Sequence, residues 1–110
     1  MIEEIVVKYL NDVLSVPAYM EMPEEKIERF VLIEKTGSSI EDHIQNATLA
    51  IQSYAPSMWQ AALLNEEVKK AMDNIITLDS VFKSRLNSDY NFTDTTMEKY
   101  RYQAVYDLVY

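Results

Sequence analysis

The sequence contains no cysteine, one glycine and three prolines among its 110 residues. The absence of cysteine excludes disulfide bonds, thiolate nucleophiles and cysteine-ligated zinc. A single glycine, Gly37, leaves no glycine-rich loop that could wrap a phosphate group. With so few glycines and prolines, we expect short turns rather than long flexible loops.

Long hydrophobic runs are also lacking. No apolar stretch approaches the ~20 residues that a membrane-spanning helix needs, so we expect no membrane association. The opening residues Met1-Ile2-Glu3-Glu4 place acid where a secretory signal has base. The sequence therefore predicts a protein that stays in the cytoplasm of the cell that makes it.

Positive charge is scarce. The formal net charge is −8, and the ten lysines and arginines are scattered along the chain. Binding to nucleic acid depends on clustered basic residues, so we expect no specific binding of DNA. The acidity is explained by a charged, well-hydrated surface. It is also compatible with an acidic wall that faces a basic partner, or with a surface that DNA slides past.

The hydrophobic pattern predicts one domain over residues 1–110. Hydrophobic residues make up 48% of the chain, which is typical of a folded domain. Their spacing predicts helices near 2–14 and 57–75, the second capped by Ser57, and a turn at 36–39. Strands are predicted near 18–22, 30–36, 43–54, 80–86 and 98–110. The order α-β-β-β-α-β-β indicates an α+β fold, a mainly antiparallel sheet with two principal helices packed on one face.

Residues for catalysis are few. His43, the only histidine, follows Glu41 and Asp42, but neighbouring residues of a strand point to opposite faces and rarely converge on one ion. A solvated surface histidine is the favoured interpretation. Adjacent carboxylates at 3–4, 24–25 and 66–67 are explained by solvated faces in the same way. We therefore expect no enzymatic activity, no catalytic residue, no metal and no cofactor.

The aromatic residues give the clearest candidates for a binding surface. Four tyrosines lie on one face of the last predicted strand, which indicates either core packing or a surface between subunits. The polar segment 87–96, predicted as a loop, contains two more aromatic residues that either contact a partner or fold back onto the domain. The candidate subunit-interface residues are Tyr90, Phe92, Tyr100, Tyr102, Tyr106 and Tyr110.

Several segments, taken in order, resemble small structural proteins of long-tailed bacteriophages and of prophages in Gram-positive bacteria. The closest similarity is to the tail terminator, or tail-to-head joining, proteins, and it spans nearly the whole chain. The segments that show it are Val16 to Glu21 (VPAYME), Phe30 to Gly37 (FVLIEKTG), Ala50 to Ala55 (AIQSYA), Leu86 to Asp94 (LNSDYNFTD) and Lys99 to Ala104 (KYRYQA).

The resemblance implies a hexameric ring that caps the finished tail tube and offers a docking face to the head. Its implied partners are further copies of the chain, the tail tube protein and a head–tail connector protein, and DNA passes through the ring without specific binding. The implied location is the host cytoplasm during assembly and then the virion tail. Another head–tail connector component is an alternative, as is an acidic inhibitor that mimics DNA. The resemblance assigns no role to any single residue.

Overall fold

The structure is a computed structural model that describes residues 1–94 and 99–110. Its elements follow the predicted order. They are α1 (Ile2–Val13), β1 (Ala18–Tyr19), β2 (Phe30–Glu41), β3 (Ile44–Ala55), α2 (Met58–Asp73), a short 3₁₀ helix (Ile75–Thr77), β4 (Lys83–Asn91) and β5 (Tyr100–Val109). The predicted α+β class is confirmed.

One five-stranded sheet organises the domain, with strand order β1-β2-β3-β5-β4. Strand β1 runs parallel to β2, and every other neighbouring pair is antiparallel. The two long helices pack on the same face of this sheet, which we call the helix face. Helix α1 lies there because Ile2, Val6 and Leu10 recur every fourth residue and form one apolar stripe.

The hydrophobic core lies between the helices and the helix face. Helix α2 contributes Leu64, Val68 and Met72 to it, and strands β3 and β5 contribute alternate residues. Helix α2 begins as predicted, because the Ser57 hydroxyl accepts a hydrogen bond from the Gln60 amide at 3.2 Å. Its prediction as the helix cap is confirmed.

The β2–β3 hairpin differs from the prediction. The turn expected at 36–39 is wrong, because β2 continues to Glu41 with a bulge between Lys35 and Gly37. The chain reverses at Asp42 and His43, whose φ angles are 48° and 69°. A two-residue hairpin with two positive φ angles matches the twist of its strands. Long cross-strand pairing therefore outweighs the local turn preference of Gly37 and its serine neighbours.

Strand β4 also differs. The strand predicted at 80–86 begins at Lys83 and continues to Asn91, so the prediction of a loop is wrong for residues 87–91. A bulge between Leu86 and Ser88 lets these polar residues remain paired with β5. The hairpin continues as far as a bridge between Asp94 and Lys99. The part of the predicted loop at 95–96 lies outside the described residues.

Candidate interaction surface

The second face of the sheet, which we call the open face, has no helix against it in the described part of the chain. Several of its side chains are nevertheless buried, among them Gln52, Tyr54 and Gln103. They are covered by the large side chains of neighbouring strands rather than by a second layer. The open face is thus a preformed surface whose centre is already shielded from water.

A continuous chain of side-chain hydrogen bonds crosses this face. Arg101 Nη1 donates to the Tyr54 hydroxyl at 2.8 Å, and that hydroxyl donates to Gln52 Oε1 at 3.2 Å. Gln52 Nε2 donates to Gln103 Oε1 at 2.8 Å, and Gln103 Nε2 donates to the Tyr90 hydroxyl at 2.6 Å. The chain joins β3, β4 and β5, so a shift in strand register would leave buried amides without partners.

Aromatic rings surround the polar chain. Phe30 stacks on Tyr54 with ring centroids 4.6 Å apart. At the other edge, the Arg101 guanidinium lies 4.4 Å from the centre of the Phe92 ring, and its Nε donates to the Phe92 carbonyl at 2.6 Å. Tyr90 meets Phe92 edge to face at 5.8 Å. Rings and a guanidinium held in this way form a rigid surface suited to protein contact.

Tyr90 and Phe92 were predicted to contact a partner or to fold back onto the domain. The structure shows features of both interpretations. Each side chain is bound to neighbours on the open face, yet 42% of Tyr90 and 39% of Phe92 remain exposed. They stay candidates for an interface, now as residues of the open face and its rim rather than of a loop.

The three tyrosines of β5 and Tyr110, which follows the strand, lie on the side of the helix face, away from Tyr90 and Phe92. Tyr106 is only 1% exposed, and its hydroxyl donates to the Lys69 carbonyl at 3.4 Å. Its place among the interface residues is therefore wrong, because α2 covers it completely. Burial, with a smaller effect from nearby carboxylates, raises the pKa of Tyr106 above that of an ordinary tyrosine.

The other three tyrosines, Tyr100, Tyr102 and Tyr110, are half-buried. Tyr110 packs against the core cluster, and Tyr100 lines a cleft of about 330 Å³ between the sheet and residues 22–28. Phe30, Tyr54, Ala55 and Lys99 complete the sheet side of that cleft. All three are partly exposed, so the tyrosines Tyr100, Tyr102 and Tyr110 stay candidates for a subunit interface.

Sequence reasoning missed the glutamines and the arginine of the open face. Gln52 and Gln103 were placed on strands, but the alternating pattern marks such positions as solvent-facing. The feature that marks these two glutamines as buried partners is the pairing of Gln52 with Gln103 across β3 and β5. The sequence alone does not provide this pairing. A polar ladder of this kind becomes visible only once the register is known.

Potential metal ligands are dispersed over the described residues, 1–94 and 99–110. In those ranges, no set of three or more histidine, aspartate or glutamate side chains is arranged to hold a metal ion. Glu41, Asp42 and His43 lie at the exposed end of the β2–β3 hairpin. No helix among the residues described is long and apolar enough to cross a bilayer.

The chain matches no protein-family model, and no curated protein is significantly similar to it in sequence.

Proposed function

We propose that the chain is a structural protein of a long-tailed bacteriophage or prophage, a tail terminator that forms a ring, caps the tail tube and joins it to the head. The resemblance of the five sequence segments suggests this group of proteins. The observation that best supports an assembly role is the sheet itself, which is uncovered on one face across the described residues. A single domain with such a sheet is suited to gaining its second layer, or further strands, from other molecules.

The surface chemistry favours a protein partner. The open face presents Tyr90, Phe92 and Arg101, and these residue types dominate the energetics of protein interfaces. Their positions are held by the hydrogen-bond chain and by ring contacts, so little side-chain entropy remains to be lost when a partner binds.

The net charge of −8 agrees with a conduit for DNA. A polyanion is repelled by an acidic wall, so DNA could pass through a ring of such subunits without being held. Six copies related by rotation make a head-to-tail contact that closes on itself. Closure of the ring explains how a tail terminator presents one face to the tail tube and stops further growth of that tube.

The proposal is tested by mass and by capping. Native mass spectrometry, alone and with purified tail tube protein, should show a species of six copies of the 12.8 kDa chain. In an assembly reaction, added protein should stop tube elongation at one end, as seen by electron microscopy. A protein that remains monomeric with tail tubes present and leaves their length unchanged is not a tail terminator.

A double substitution, Tyr90→Ala with Phe92→Ala, tests the open face within that assay. We expect capping to be lost while the far-ultraviolet circular dichroism stays that of the folded domain. Trp59→Ala is the matched control, since Trp59 is an exposed aromatic residue on α2, away from the open face. Capping that survives the double substitution would assign the contact to another surface.

A further inference from the structure

Both edges of the sheet are unpaired over most of their length in the described residues. Strand β1 covers β2 only at Val31 and Leu32, so residues 33–41 present a bare edge. Strand β4 lies at the opposite end of the strand order and pairs only with β5. Unpaired backbone N–H and C=O groups in an extended strand are a ready template for another strand.

The two edges match in length and direction. Strand β4 has nine residues, and the bare part of β2 spans residues 33–41. Three successive antiparallel pairings separate β2 from β4, so the two strands run in opposite directions within one molecule. Rotation about an axis nearly parallel to the strands preserves these directions, and β4 of one copy then meets β2 of the next in antiparallel sense.

The register aligns the two edges. Lys83 pairs with Val109, Val109 pairs with Asn46, and Asn46 pairs with Ser39. Lys83 and Ser39 therefore lie at the same height on opposite edges. The bulges are aligned almost as well, since that of β2 at Lys35–Gly37 and that of β4 at Leu86–Ser88 both adjoin the row of Leu49.

Opposite charges face outward at this height. The first half of β4 has two exposed basic residues, Lys83 and Arg85, while the end of β2 has the exposed carboxylate of Glu41, followed by Asp42 in the turn. None of these four side chains forms an ion pair within the described part of the molecule. If a neighbour's Ser39 lies opposite Lys83, its Glu41 is the diagonal neighbour on the same face, within reach of the lysine.

We propose that the subunits of the ring join edge to edge, with residues 83–89 of β4 in one copy pairing antiparallel to residues 33–39 of β2 in the next, so that the sheet continues from copy to copy. The occupant of each edge is thus a second copy of this chain, in a head-to-tail contact. This inference rests on the proposed ring and specifies its interface. The contact places Lys83 of one copy diagonally opposite Glu41 of its neighbour.

Engineered disulfides test the pairing directly, because the chain has no cysteine of its own. In the variant Ser39→Cys with Lys83→Cys, the two thiols of one molecule are separated by three strand spacings, about 14 Å. A disulfide needs Cα atoms within roughly 7 Å, so any bond must join two molecules. Mild oxidation should give a ladder on a denaturing gel that rises from dimer to hexamer and stops there.

Single-cysteine variants are the controls. Ser39→Cys alone and Lys83→Cys alone should give few cross-links, because like edges do not meet in a head-to-tail contact. Efficient dimers from either single variant would show a symmetric pairing and overturn the inference. An oxidised double variant that remains monomeric would overturn it as well.

Charge exchange gives a second measurement. We expect Lys83→Glu to weaken self-association about tenfold, and the added substitution Glu41→Lys to restore most of it, because opposed charges meet again. Lys8→Glu, the same charge change on the exposed side of α1, should leave association nearly unchanged. An equal loss in Lys8→Glu, or no recovery in the exchanged pair, would contradict the edge contact.

The possible outcomes of these experiments distinguish a failure of the proposed edge contact from a failure of the proposed ring. Hexamers of the unaltered chain in native mass spectrometry, together with no ladder from the double-cysteine variant, would leave the ring standing and reject the edge contact. A ladder that continues far beyond six copies would support the edge contact and reject a closed ring. No hexamer and no ladder would reject both.

Discussion

Gln103 occupies the centre of the open face, between Gln52 and Tyr90. It accepts from one and donates to the other, and it is 8% exposed. Removal of its amide would leave the Nε2 group of the buried Gln52 without its partner and would remove the hydrogen bond to the partly exposed Tyr90 hydroxyl. An unsatisfied buried polar group costs more free energy than a typical hydrogen bond contributes. A glutamine at position 103 therefore stabilises the folded domain and also holds the side chains of the open face in place.

We expect Gln103→Ala to lower the free energy of unfolding by about 2 kcal/mol. Chemical denaturation of the monomer measures this change in the free energy of unfolding. Gln45→Ala is the matched control, since Gln45 is an exposed glutamine on the neighbouring strand β3, and we expect a change within about 0.5 kcal/mol there. Equal losses in both variants would show that strand propensity, not the hydrogen-bond chain, sets the cost.

Tyr106 provides a prediction about pH. Burial favours its neutral form in the folded state and so raises its pKa above the unfolded value, near 10. The stability that it contributes is complete below about pH 10 and is lost as the pH rises further. Tyr106→Phe removes the ionisable group, so the stability of this variant relative to the unaltered chain should increase above pH 10.

Denaturation curves between pH 8 and pH 11 test this expectation. The comparison is made with Tyr102→Phe, a half-buried tyrosine of the same strand and face. A relative stability of Tyr106→Phe that is independent of pH would contradict the role given to burial.

The tyrosines also show how far single residues can be interpreted from sequence. Strict alternation correctly placed Tyr100, Tyr102, Tyr106 and Tyr110 on one face of the last strand, but it could not say which of them a helix covers. The answer depends on where α2 crosses the sheet, and only Tyr106 lies fully beneath it. Contacts between distant segments determine this burial, and local periodicity contains no information about them.

Among the elements, the helices and β3 were the most predictable. Their apolar residues repeat at one clear period, and the cap at Ser57 is a local signal. Strands β2 and β4 extended beyond their predictions, each through a bulge and a polar stretch. Polar residues that pair with a neighbouring strand form regular structure without a hydrophobic pattern, so sequence reasoning assigned them to turns and loops.

The hairpin turn at Asp42-His43 is strained in a way that substitution can measure. Positive φ angles are unfavourable for residues other than glycine, and His43 has φ of 69°. We expect His43→Gly to stabilise the monomer by about 0.5–1 kcal/mol and to raise the melting temperature by roughly 4 °C. His43→Ala keeps the steric cost and should give no increase. Equal effects of the two substitutions would show that the backbone angle is not the cause.

At the scale of the whole molecule, the β2–β3 hairpin makes the domain elongated. The principal extents are 44 × 25 × 24 Å, and strands of twelve residues account for about 40 Å of the longest. Every residue of β2 from Glu34 onward is exposed, and Ile40 near its end is 72% exposed. A projection of this length adds little to the core, which suggests that its value lies in contacts with other molecules.

Shortening the hairpin separates folding from assembly. Replacement of residues 40–45 by Asn-Gly joins the paired residues Ser39 and Asn46 through a favoured two-residue turn. The lost residues include two exposed isoleucines and the hydrogen bond from the Tyr110 amide to the Gln45 carbonyl, while the shorter connection lowers the entropy cost of closure. We therefore expect the free energy of unfolding to change by no more than about 1.5 kcal/mol.

The same change removes Glu41, Asp42 and part of the β2 edge, so hexamers and tube capping should disappear. Native mass spectrometry and denaturation of one preparation measure both effects. A shortened chain that still forms hexamers would place the subunit contact elsewhere, and one that fails to fold would show that the projection belongs to the stabilising structure of the domain.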